Sequence, residues 1–298
     1  MPRSRSGFTL AELLIALACG AVLFAVAAAI ALRQQRVFAE LADAAATTGR
    51  LREVIATLPI DLRAVSPRAG DIREARDTSL EIRATIASAV VCDSAGASSL
   101  ILAPALAGAE AYAAYLTPIA AGDTAWLLDV RDSTERWIPR RVTSASSTTA
   151  ARCATGAPTL SRPPFATLVI SLDTVGPARA GTVLRVTRPI RYSLYRSSDG
   201  SWQLGVRDWN TTAQRFNSVQ PVAGPLLPPS GRGLAFSYAD STGGIVANPA
   251  DSQTGLALIR IAAHAQSLRP VRVLGARAGG VTQRADSLDA VVLLRNRR

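Results

Sequence analysis

Gly7-Phe8-Thr9-Leu10-Ala11-Glu12, followed by an unbroken apolar run from Leu13 to Leu32, sets one carboxylate at the edge of a helix long enough to cross a membrane. At a rise of ~1.5 Å per residue, the run matches the roughly 30 Å hydrocarbon thickness of a bilayer. A carboxylate at a membrane edge is costly unless it is paired, and charges placed there usually mark function rather than packing. Arg3 and Arg5 precede the run. They favour keeping that end in the cytoplasm while the remainder is exported.

Two plainer readings compete. A simple signal anchor with a stray acidic residue accounts for the hydropathy. A lipoprotein signal would use Ala16-Leu17-Ala18-Cys19, but the apolar run continues far past Cys19, whereas a lipidated cysteine should open a polar mature chain. Cys19 is better read as a small helix-packing residue.

The start Met-Pro-Arg-Ser-Arg-Ser-Gly and the following Phe8-Thr9-Leu10-Ala11-Glu12-Leu13-Leu14-Ile15-Ala16-Leu17 resemble the class III signal of type IV prepilins and type II secretion pseudopilins. The resemblance implies that a prepilin peptidase cuts after Gly7 and methylates the amine of Phe8. It also implies that Glu12, fifth in the mature chain, docks the subunit into a growing filament. Physically, Glu12 of one helix could then neutralise the terminal amine of a staggered neighbour, in low dielectric where such a pair is worth far more than in water.

The chain is 298 residues and 48% hydrophobic, enough to bury a sizeable exported core. Its net charge of +11 comes from arginine alone, since the sequence contains no lysine. The arginines are scattered singly, without a basic run, which favours a compositional bias with solvated faces and argues against nucleic-acid binding. With Cys19 in the apolar helix, Cys92 and Cys153 are the pair left to the exported part. They could form one disulfide closing a loop of ~60 residues, or remain two thiols.

Past Arg33-Gln34-Gln35-Arg36, the residues Val37, Phe38, Leu41, Ala45, Leu51, Val54, Ile55 and Leu58 recur at largely helical spacing until Pro59. The expected division is therefore a leader over 1–7, a membrane or filament-core helix over 8–32, an amphipathic periplasmic helix over 33–66, and an exported body over 67–298. Gly49 could bend the helix or merely be tolerated. Strands are expected at 80–86 and 125–130. The alanine-rich stretch 94–114 reads as mixed loop and short helix, and Thr143-Ser-Ala-Ser-Ser-Thr-Thr-Ala150 as a flexible loop. The span 79–180 matches no recognised pattern.

The second half is clearer. Strands at 190–196 and 201–207 flank a Ser198-Asp199-Gly200 turn and predict a hairpin. The Pro221–Leu227 segment follows, then strands at 234–238, 256–263 and 288–294, with Asp240-Ser241-Thr242-Gly243-Gly244 as a turn. This order resembles J-type minor pseudopilins and W-type minor pilins, and the fold class expected is α+β: a long N-terminal helix packed on a mainly antiparallel β domain, as in pilins.

Catalytic chemistry finds little in the sequence. His264 is the only histidine, and no phosphate loop, zinc spacing, nucleophile elbow or paired-carboxylate motif is present. The oxygen-rich 240–244 turn lacks the carboxylates of a calcium loop. No cofactor is expected. The sequence therefore points to a non-enzymatic minor pilin or pseudopilin of the inner membrane. Its partners by resemblance are prepilin peptidase, other minor and major (pseudo)pilins, and a hetero-oligomeric tip complex. The alternative is a membrane-anchored exported binding module or hydrolase that keeps its anchor.

Overall fold

The computed structural model describes residues 9–103, 113–131, 134–148, 167–176, 178–249, 255–272 and 281–294. The architecture is α+β: one long N-terminal helix, α1 (Leu10–Leu62), and an otherwise antiparallel β structure. The chain divides into two compact units. One holds the residues up to Gly49 with Gln266–Asp286, and the other holds Arg50–Ala265 with Ser287–Arg298.

In the first unit, Thr47 and Thr48 donate their hydroxyls to the carbonyls of Asp43 and Ala44, at 2.8 and 3.1 Å, and the helix passes Gly49 unbroken. The same unit contains the distal part of a ribbon formed by strands β13 (Leu256–Arg272) and β14 (Val281–Leu293). There the Gln266 side chain donates to Gln283, and the backbone N–H of Arg284 donates to the Ser267 hydroxyl at 2.9 Å.

In the second unit, Leu51, Val54, Leu58 and Leu62 form an i, i+3, i+7, i+11 stripe, each at most 2% exposed. Pro59 does not end the helix, which continues to Leu62. The stripe packs on strands β1 (Ile72–Ala75), β2 (Ser79–Ser94), β8 (Val183–Arg196), β9 (Trp202–Asn210) and β11 (Gln220–Leu226). It shares that core with β12 (Leu234–Asp240) and the proximal parts of β13 and β14. Tyr192 donates its hydroxyl to the Asp61 carboxylate. That bond gives an acidic group in the last helical turn, where the helix dipole disfavours it, a specific partner. The two sheets join where Phe236 N–H donates to the Asp77 carbonyl at 2.7 Å and the Tyr238 hydroxyl to the Arg76 carbonyl at 3.0 Å. Gly233 is required at the crossing, because a Cβ there would lie 1.7 Å from the Leu227 carbonyl oxygen.

The unclassified middle of the sequence is a closed barrel. Strands β3 (Ser99–Leu102), β5 (Thr124–Arg131), β6 (Thr134–Thr148) and β7 (Thr167–Leu172) complete an antiparallel circuit β2-β3-β7-β6-β5-β8 that returns to β2. Strand β4 (Ala113–Tyr115) flanks β2. The interior is a second core of Ala87, Ala89, Val91, Leu100, Leu102, Ala125, Leu127, Val142, Ile170, Leu172, Leu184 and Val186. Closure leaves these strands without free edges along the circuit.

A register shift between Thr85 and Ala87 makes this possible. Before it, Leu80 and Ile82 face the helix; after it, Ala87, Ala89 and Val91 face the barrel. One extra residue therefore exchanges odd for even positions. Strand β8 has no such shift, and Leu184, Val186, Tyr192 and Leu194 keep the same parity throughout.

Two sequence expectations change here. The 143–150 segment is not a loop up to Thr148: Ser144–Thr148 pair with β7, and serine and threonine serve as strand residues once that pairing closes the circuit. The 94–114 stretch contains strands β3 and β4, and no helix among its described residues. Residues 104–112 of that stretch lie outside the described set.

Arginines expected on solvated faces also carry pairing. Arg185 forms a bidentate fork on Asp71 (2.8 and 2.9 Å), whose side chain is 0% exposed, and lies over Trp126 and Trp137 at 5.9 and 5.8 Å. Arg83 covers Trp126 at 5.1 Å, and Trp126 donates its indole N–H to Thr187 at 2.9 Å. Arg188 grips Asp123 with two bonds of 2.7 Å, and Arg191 reaches Glu81 and Glu74 at 2.5 and 3.0 Å.

Tyrosines supply an alkaline limit. Burial pushes the Tyr115 hydroxyl up to about 12, and burial likewise raises Tyr192 and Tyr238. An unfolded tyrosine ionises near 10, so between about pH 10 and 12 the unfolded chain binds fewer protons than the folded one. Stability falls as pH rises through that window. Thermal unfolding followed by circular dichroism should show a steady drop in midpoint beginning near pH 10.

Candidate functional site

The site is built on the first turn of α1. Thr9 precedes the helix, and its backbone N–H and hydroxyl both donate to Glu12 Oε2 at 3.0 Å. Glu12 N–H donates back to Thr9 Oγ1 at 3.3 Å. This is a capping box: it satisfies two of the orphan donors at a helix start and fixes the carboxylate beside the chain entry. The Thr9-x-x-Glu12 spacing carries that signal in the sequence, beside the readings of Glu12 as a partner for an amine or a stray acidic residue. Gly7 and Phe8, the expected cleavage and methylation positions, lie outside the described residues.

Beyond Glu12, none of the described residues covers the apolar helix. Leu14, Leu23 and Phe24 are 58%, 71% and 76% exposed, and the most apolar stretch of the helix is 0% buried. Glu12, Leu13, Ala16, Leu17, Gly20, Ala21 and Phe24 line one shallow apolar face. Small residues at Ala16, Gly20 and Ala21 allow another helix to approach closely there. An apolar helix left bare must be covered by lipid or by other helices. Its head carries a carboxylate that can still accept a cation, because both hydrogen bonds from Thr9 go to Oε2 and leave the lone pairs of Oε1 for another partner.

The family described as the prokaryotic N-terminal methylation motif matches residues 2–28. That match supports the type IV prepilin-like family. It covers Gly7, Phe8 and Glu12 and most of the bare apolar stretch. No curated protein and no solved structure matches the chain. The motif indicates pilin-type processing, implies cleavage by prepilin peptidase and assembly with other pilins, and suggests a structural subunit rather than an enzyme. With the apolar helix, it fits a membrane-anchored, exported pilin.

The remaining sequence candidates sort as follows. Cys92 is 5% exposed, packs with Ile101 and Ala103, and is disulfide-bonded. Cys153 lies outside the described residues, and Cys19 is a free thiol on α1. His264 is held by its Nδ1 at 2.8 Å from the Arg232 carbonyl oxygen. Asp240 Oδ1 accepts from Thr242 N–H, the Thr242 hydroxyl and Gly244 N–H at 2.7–2.9 Å, so its turn is closed on itself. Among the described residues, no group of three His, Cys, Asp or Glu side chains could hold a metal.

Proposed function

We propose that the chain is a minor subunit of a type II secretion pseudopilus or a type IV pilus, placed near the tip with other minor subunits, where it starts assembly. The observation that carries this reading is the methylation motif continuing into an uncovered apolar helix headed by Glu12. Prepilin peptidase cuts after Gly7 and methylates Phe8. The precursor sits once across the inner membrane with its N-terminus cytoplasmic and its β-rich body in the periplasm. On assembly the 8–32 helix leaves lipid for the filament core, while the 33–66 segment and the 67–298 body choose neighbours.

The inserted barrel favours a terminal position. A shaft subunit must accommodate the same bulk at every repeat, whereas a subunit at an end has one side free of neighbours. The strand order after residue 190 supports the J-type or W-type reading, since a hairpin, β11, β12 and a returning β13 follow in that sequence. In the oxidising periplasm, Cys92 pairs with Cys153.

Mass spectrometry of the chain recovered from its own membranes tests the reading. The expected product begins at Phe8, carries one added methyl group on its amine and lacks the first seven residues. Recovery of intact Met1 would favour the anchored binding module or hydrolase instead.

A further inference from the structure

Asp208-Trp209-Asn210-Thr211-Thr212 closes β9 and opens the turn to strand β10 (Arg215–Phe216). Asparagine followed at the second position by threonine is the acceptor pattern for N-linked glycans in surface loops of exported chains. The sequence has four asparagines, and Asn210 alone fits: Asn217 is followed by Ser218-Val219, Asn248 by Pro249, and Asn296 by two arginines. We propose that Asn210 is an N-glycosylation acceptor on the exported body, a reading that needs export but not filament assembly.

The local geometry suits the chemistry. Asn210 Oδ1 accepts the backbone N–H groups of Thr212 and Ala213 at 3.1 and 2.8 Å, forming an Asx turn. Two donors on the amide oxygen draw electron density from the amide and acidify its N–H. Among the described residues, the hydrogen bond that Nδ2 makes is a long one, 3.4 Å to Asn217 Oδ1. Thr212 is exposed, with no partner for its hydroxyl among the described residues, and exposed Asp208 places a negative charge beside the acceptor for a cationic group on the transferring enzyme. Trp209 is pinned edge-on to Phe216 at 5.0 Å, with Arg191 over Phe216 at 4.9 Å. Thr211 is pressed against Gly122, where a Cβ would come within 2.6 Å of the Thr211 carbonyl oxygen. The turn is therefore held in place and presents Asn210 at its start.

In the reaction, Nδ2 forms a bond to C1 of a glycan carried on a polyprenyl diphosphate. The C1–O bond to the carrier breaks, the lipid diphosphate leaves with the electron pair, and one Nδ2 proton passes to a base of the transferase. No oxidant or reductant is needed.

The test is co-expression of the full chain with an exported bacterial oligosaccharyltransferase and its polyprenyl-diphosphate glycan, beside an exported control acceptor. Trypsin releases Asp208–Arg215 as one peptide, because Arg207 and Arg215 bound it. The expected result is a shift of that peptide by the glycan mass, abolished in Asn210→Gln and Thr212→Ala, retained in Thr212→Ser and reduced several-fold in Asp208→Ala. An unmodified peptide from cells in which the control is glycosylated would overturn the proposal. So would a glycan that persists on the Thr212→Ala chain.

Discussion

Glu12→Ala is expected to leave cleavage after Gly7 and membrane insertion intact while the amount of chain recovered in sheared filaments falls roughly tenfold or more. The reason is the environment. On a lone helix the carboxylate is exposed and rests on Thr9, but inside a filament it would be enclosed by apolar helices, where an uncompensated amine is costly. Thr9→Val separates the two roles, since it removes the hydroxyl of the cap and leaves the carboxylate. Its incorporation should stay close to that of the unchanged chain. Equal incorporation of Glu12→Ala and wild type, measured by immunoblot of sheared and membrane fractions, would falsify the assembly role.

Asp71→Ala should be the most destabilising single change in the β-rich body. Asp71 has no exposed side-chain surface, accepts the Ser66 N–H at 2.7 Å, and takes both arms of the Arg185 fork. Removing one member of a buried pair typically costs about 3–5 kcal/mol, because the other charge stays behind. At roughly 2–4 °C per kcal/mol for a body of this size, the unfolding midpoint should drop by about 10 °C. Replacing both partners by leucine should cost less than Asp71→Ala alone, since no stranded guanidinium remains between Trp126 and Trp137. A double replacement that unfolds earlier than the single one would show that the fork itself holds the barrel to the loop at residue 71.

The sequence was most legible where one period held over many residues. The apolar run from Leu13 to Leu32 read as helix because its unbroken length matches a bilayer crossing, and the stripe from Leu51 to Leu58 because 3.6-residue spacing is sustained. The 190–207 hairpin read as strands because alternation meets a turn at Asp199, whose carboxylate is held at about 2 chiefly by the Ser197 hydroxyl and by the Ser201 N–H and hydroxyl. The barrel was hidden because β2 changes parity near Thr85, so no single alternation runs through it, and because alanine, serine and threonine fill its walls. The pairs Asp71–Arg185 and Asp123–Arg188 join residues 114 and 65 positions apart, beyond the reach of any local pattern. The capping box was visible in the spacing of Thr9 and Glu12, overshadowed by the costlier question of a membrane-edge charge.

The continuity of β2 and β8 has a mechanical meaning. Eleven residue pairs bind these strands along their shared length, and both enter the barrel at one end and lie under the helix at the other. A pull on the barrel is borne as tension along two covalent backbones side by side. No hydrogen bond between them has to slip for the load to reach α1. The barrel and the helix stripe are thus joined as by a pair of tendons rather than by a hinge.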